Sequence, residues 1–135
     1  MQVFLTKWMA RFARRENIPH ASLCEAIARA ERGLIDADLG GGLIKQRVAR
    51  AGKGRSGGYR TILAYCRAGR AVFVFGFAKS GLENIRPENL KTLQEIAAIW
   101  LPADERKIAL GVQDGELEEV FYGSEEDGQP DGSAP

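Results

Sequence analysis

Residues 52–62 read GKGRSGGYRTI, and the fold turns on whether a strand or a helix comes after the glycines. The run from Gly52 to Gly57 has the spacing G-x-G-x-x-G, which lays a dinucleotide pyrophosphate on a helix N-terminus only when a strand precedes it and a helix comes next. Here residues 59–67, YRTILAYCR, are β-branched and aromatic and read as a strand. A phosphate loop of the Walker type also fails, because Gly54 stands where Ser or Thr must follow Lys53. The glycines are therefore expected to form a loop between two strands, with Lys53 and Arg55 carried on it.

Before this run, residues 43–49 (LIKQRVA) alternate, with Ile44, Gln46 and Val48 on one side and Leu43, Lys45 and Arg47 on the other. A turn at Ala68-Gly69 leads to a third strand over residues 71–77, AVFVFGF. Such short connections predict an antiparallel meander. Towards the N-terminus, residues 3–5 form a short apolar strand, and Trp8, Met9 and Phe12 share one face of a first helix. A second helix opens near Pro19, carries Leu23, Ala26, Ile27 and Ala30 at helical spacing, and stops at Gly33. Residues 36–42 read as a loop. Downstream, Pro87 opens a helix with Leu90, Leu93, Ile96, Ala97 and Trp100 on one face, and Pro102 breaks it. A short helix over residues 103–110 and a late strand within residues 116–122 complete the pattern. The expected class is α+β: two N-terminal helices packed on a small antiparallel sheet, followed by a C-terminal helix. The expected organisation is a domain over residues 1–110, an extension over 111–122, and an acidic, disordered tail over 123–135.

At 135 residues, 44% hydrophobic and 27% charged, the chain fits one soluble globular domain. Two cysteines, Cys24 and Cys66, and one histidine, His20, support neither a disulfide framework nor a zinc site; no metal or cofactor is expected. No apolar run reaches membrane-spanning length, and Lys7, Arg11, Arg14 and Arg15 interrupt any signal-peptide core, so a cytoplasmic location is expected. The formal charge of +1 hides a division: residues 1–110 carry +9 and residues 111–135 carry −8. A basic body points to a polyanionic partner.

The cations concentrate in the strands. Lys45, Arg47, Arg50, Lys53, Arg55, Arg60, Arg67 and Arg70 fall between Leu43 and Arg70 with no acid among them, and Lys79 follows the third strand. An unopposed run of this kind is suited to phosphate, although charge alone names no chemistry. The segments LGGGLIKQRVAR, GKGRSGGYRTI and VFVFGFAKS, in that order after two helices, resemble the RelE/HigB branch of the RelE/ParE toxin superfamily.

That resemblance implies the toxin of a toxin–antitoxin pair, held by a cognate antitoxin protein. It also implies a ribosome-dependent endoribonuclease that cuts translated mRNA without a metal. In such chemistry the ribose 2′-hydroxyl attacks the adjacent phosphate, and the protein must stabilise the anionic transition state and move two protons. By the same resemblance Arg60 holds the scissile phosphate and Lys53 or Lys79 transfers protons, a lysine among arginines having its charged form disfavoured. Lys45, Arg47, Arg50 and Arg55 contact the mRNA backbone and rRNA. Where family members place a tyrosine or histidine near the end of the last strand, this chain has Phe75, Phe77 and Ala78. Of the two tyrosines that could stand in, Tyr65 shares the parity of Leu63 and reads as core, which leaves Tyr59 as the expected base-stacking ring. The competing readings are a gyrase-poisoning toxin of the ParE type and a non-catalytic nucleic-acid-binding module.

Overall fold

The computed structural model describes residues 1–50, 54–78 and 86–123, with the backbone alone for residues 50 and 54–57. In chain order the elements are β1 (Gln2–Thr6), α1 (Lys7–Arg15), α2 (His20–Glu31), β2 (Ala37–Gly40), β3 (Leu43–Arg50) and β4 (Gly54–Cys66). β5 (Arg70–Ala78), α3 (Pro87–Trp100), α4 (Glu105–Gln113) and β6 (Leu117–Val120) follow.

Each helix begins and ends for a local reason. Thr6 caps α1, its hydroxyl accepting from the Met9 amide at 3.3 Å, and Arg14 and Arg15 sit in the last turn where the helix dipole favours cations. Asp104 caps α4 by accepting from the Lys107 amide at 2.9 Å. Pro87 fills the first turn of α3, a position that needs no amide proton. Gly33 follows α2 at φ +84°, a backbone state that a side chain disfavours.

The six strands form one sheet in the order β2-β3-β4-β5-β1-β6. The β3–β4–β5 meander is antiparallel as the sequence predicts, and β6 pairs antiparallel with β1. The α+β class therefore stands, with two differences in arrangement. β1 lies parallel to β5, and residues 37–40 form an edge strand instead of belonging to a loop. The glycine-rich run also differs from expectation: β4 begins at Gly54, and the pairing with β3 slips between Val48 and Arg50. Glycine suits such an irregularity, having no side chain that must keep to one face.

Two apolar layers sandwich the sheet. On one face α1 and α2 cover Val3, Leu5, Ile44, Val48, Tyr59, Leu63 and Phe73. On the other, α3 and α4 cover Phe4, Leu43, Ile62, Ala64, Val72 and Val74 through Leu93, Ala97, Trp100 and Ile108. Each fully buried aliphatic or aromatic side chain contributes about 1.5–3 kcal/mol. The second layer is anchored by Arg70. Its side chain donates to Gln2 at 3.0 Å and to the carbonyls of Trp100, Leu101 and Ala103 at 2.9, 3.2 and 2.6 Å, and lies 3.5 Å from Glu105. Charge counted along the sequence groups Arg70 with the phosphate-seeking cations; in the fold it caps the α3–α4 turn, whose orphan carbonyls need donors.

Candidate nucleic-acid interface

Side chains that pair directly across antiparallel strands point to the same face. The register pairs Arg47 with Arg60 and Lys45 with Ile62 across β3–β4, and Arg60 with Phe77 and Ile62 with Phe75 across β4–β5. Lys45, Arg47, Arg60, Phe75 and Phe77 therefore share the face that carries Ile62. The apolar layer under α3 occupies the start of β3 and the end of β4; Arg47 and Phe77 lie towards the opposite ends of their strands, and Arg60, midway along β4, lies between them. The regular register from Leu43 to Val48 leaves Arg60 on the Ile62 face, so no bulge redirects it.

Arg60 is half-buried, and its Nη1 is closed off from solvent with no hydrogen-bond partner among the described residues. An arginine nitrogen in that state is costly unless an acceptor arrives, since an unmade buried hydrogen bond costs about 1–3 kcal/mol. Neither Lys45 nor Arg60 forms an ion pair among the described residues.

Arg47 is held differently. β2 pairs with β3 only as far as Ala37 opposite Lys45, so the outer edge of β3 at Arg47 lacks a strand partner. Side chains take its place. Asp36 accepts the Arg47 amide proton at 2.7 Å, and buried Arg29 donates to the Arg47 carbonyl. The fully buried amide of Gln46 completes the clamp, donating to the Ala26 and Leu34 carbonyls at 2.9 and 3.2 Å and accepting from the Asp36 amide at 2.8 Å. The Asp36 carboxylate also lies 3.8 Å from Arg47 Nε and 4.0 Å from Arg29 Nη1, while Arg29 Nε donates to Glu25 at 2.9 Å. Arg29 and Arg47 thus face two carboxylates, and Arg47 is a compensated cation where Arg60 is not.

The remaining expected residues divide. Tyr59 lies on the opposite face, 3% exposed, edge-on to Phe12 and with its hydroxyl 3.1 Å from Glu16 Oε1. Strand alternation sends Tyr59 and Arg60 to opposite sides, so Tyr59 does not stand beside Arg60 as a base-stacking ring. Lys53 and Lys79 lie outside the described residues. Arg50 and Arg55 belong to β3 and β4, but their side chains are likewise outside what is described. His20 opens α2 at the surface, 3.7 Å from Glu118.

Sequence alone does not reveal two residues near the site. Asp36 reads as part of a loop, and nothing in the local pattern links it to Arg47. Trp8 reads as inward-facing on α1, yet it is 45% exposed and stacks on Phe75, ring centroids 4.7 Å apart. Lys7 and Arg11 nearby are the signal that this side of α1 meets solvent.

Chemically, the described face offers fixed cations. Arginine stays protonated, so Arg47 and Arg60 hold anionic oxygens and do not exchange protons. A guanidinium with a free donor in a partly desolvated setting makes a strong, directional bond to phosphate. No helix among the described residues is long and apolar enough to cross a membrane. No curated protein matches the chain. A family model described as the RelE toxin of the RelE / RelB toxin-antitoxin system matches residues 1–120, which include every strand of the sheet and all four helices. The chain belongs to the RelE toxin family.

Proposed function

We propose that the chain is the ribosome-dependent endoribonuclease of a toxin–antitoxin pair, acting in the cytoplasm on translated mRNA. The observation that carries this reading is Arg60, whose buried Nη1 lacks a partner among the described residues, on a sheet face that also holds Arg47 and Lys45. Arg60 receives the scissile phosphate and stabilises the charge that builds as the 2′-hydroxyl attacks. Lys45 and Arg47, with Arg50 and Arg55, follow the mRNA backbone and rRNA. Lys53 or Lys79 moves the protons, a role closed to arginine. The reaction needs no metal, since fixed cations supply the charge. A cognate antitoxin keeps this surface from RNA by direct contact, apolar and acidic side chains matching its character.

Inducible expression tests the reading. Arrest of translation accompanied by new 5′ ends within translated messages is the expected result. Intact messages with altered DNA supercoiling would replace it with a gyrase-directed toxin, and intact messages with neither effect would leave a binding module.

A further inference from the structure

The proposed reaction leaves unused an exposed aromatic and basic strip on α1. Phe77, the cross-strand neighbour of Arg60, lies 6.0 Å from Phe75, and Phe75 stacks against Trp8 at 4.7 Å with the ring planes 25° apart. A row of rings thus leads from Arg60 to the lip of α1. There Trp8 and Phe75 border a groove of about 630 Å³, closed behind by Ile96, Ile99 and Trp100 of α3. Lys7 lines this groove and Arg11 lies one turn on from Trp8, in the neighbouring groove that Glu118 and Glu119 also line. Both cations are exposed and without an ion pair among the described residues, and α1 contains no acid. Lys107 adds a cation to the groove wall, and Glu116 is the acid among the described lining residues.

Rings in line with a phosphate-seeking arginine, edged by uncompensated cations, have the composition of a single-stranded nucleic-acid track: bases stack on the rings and cations follow the backbone. An aliphatic groove alone would suit an apolar protein segment. The continuity of the rings with Arg60, and the absence of acids from α1, favour RNA. We infer that α1 is a second RNA-contacting surface, on which a nucleotide neighbouring the one at Arg60 lays its base against Trp8 and Phe75 while Lys7 and Arg11 meet its phosphates. This rests on the reading that Arg60 holds an RNA phosphate.

The chain has two tryptophans, and Trp100 also lines the groove, so the signal of Trp8 is the change in emission that Trp8→Phe removes. A short 2′-O-methyl oligoribonucleotide, which cannot be cleaved, should quench the wild-type emission, whereas inorganic tripolyphosphate should not. Trp8→Phe, which retains a ring and Trp100, should abolish the quenching. Trp8→Ala should weaken oligonucleotide affinity about tenfold, the scale of one stacked base. Lys7→Ala and Arg11→Ala should each lower the slope of log affinity against log salt by about one. Absence of RNA-dependent quenching in the wild type overturns the inference, as does quenching by the purified antitoxin but not by RNA, which would assign the groove to protein. Because mRNA cleavage is measured separately, either result together with persistent cleavage leaves the proposed activity standing without this surface.

Discussion

Arg70 and Arg60 project from the same face of one sheet, Arg70 at the start of β5 and Arg60 midway along β4, and they lead opposite lives. Arg70 is 8% exposed and holds Gln2, three main-chain carbonyls and Glu105. Arg60 is less buried, yet one of its nitrogens has nothing to bond among the described residues. A guanidinium satisfied within the protein is a structural part. One left short of an acceptor, among other cations, is prepared for an external anion. The difference lies in what each side chain meets: the α3–α4 turn supplies carbonyls to Arg70, and no such turn reaches Arg60 among the described residues.

Truncating the two arginines separately gives the largest expected effects, and they should be opposite in kind. Arg60→Ala should lower mRNA cleavage on ribosomes about 100-fold or more, the scale of losing one preorganised donor, while leaving the melting temperature unchanged. Arg70→Ala should destabilise the fold by about 3 kcal/mol, because several carbonyls lose a charged donor at once, while cleavage per folded molecule stays near wild type. Calorimetry and a cleavage assay on the same preparations check both. If Arg60→Ala unfolds the protein, that arginine is structural and the contrast is void.

Asp36 supplies an intermediate case, a cation already compensated. Asp36→Ala removes the acceptor for the Arg47 amide and should cost about 1 kcal/mol of stability. Asp36→Asn retains an acceptor but removes the charge shared with Arg47, and should raise oligoribonucleotide affinity by about twofold at low salt, an effect that salt erases. Equal effects of the two substitutions would make Asp36 purely structural.

The smallest effect expected is at Tyr65, on the sheet face away from Arg60. Its hydroxyl donates to Glu31, and its ionisation is pushed well above the usual tyrosine range by burial first, then by that hydrogen bond and the carboxylate's charge. A folded-state pKa raised above the unfolded value of about 10 gives stability that is complete below pH 10 and is lost as pH rises above it. Tyr65→Phe should cost about 1 kcal/mol at neutral pH, with the gap to wild type narrowing in denaturant titrations above about pH 10, and should leave cleavage unaltered.

These contrasts also mark how far the sequence can be read. The β3–β4–β5 meander is legible because β-branched and aromatic runs over residues 59–67 and 71–77 leave little choice, and α3 because Pro87 and Pro102 bracket it. β2 is not, since ADLG has no strand character of its own and exists by pairing with β3. The parallel β1–β5 contact is hidden for a different reason: it joins residues nearly 70 positions apart, and only packing of the whole domain specifies it. At the site, alternation correctly groups Lys45 with Arg47. Charge counting cannot separate Arg70 from Arg60, because neither the α3–α4 carbonyls nor the missing acceptor is written near either residue. Tyr59 misleads for the same reason, its identity suiting a stacking role that its place in the strand denies.

The most direct measurement is primer extension on purified ribosomes programmed with a defined mRNA, comparing wild type, Arg60→Ala and Arg70→Ala at equal folded concentration. Discrete cleavage within the message is expected for wild type and Arg70→Ala, and none for Arg60→Ala. Cleavage by Arg60→Ala at the wild-type rate, with the protein folded in every case, would contradict it.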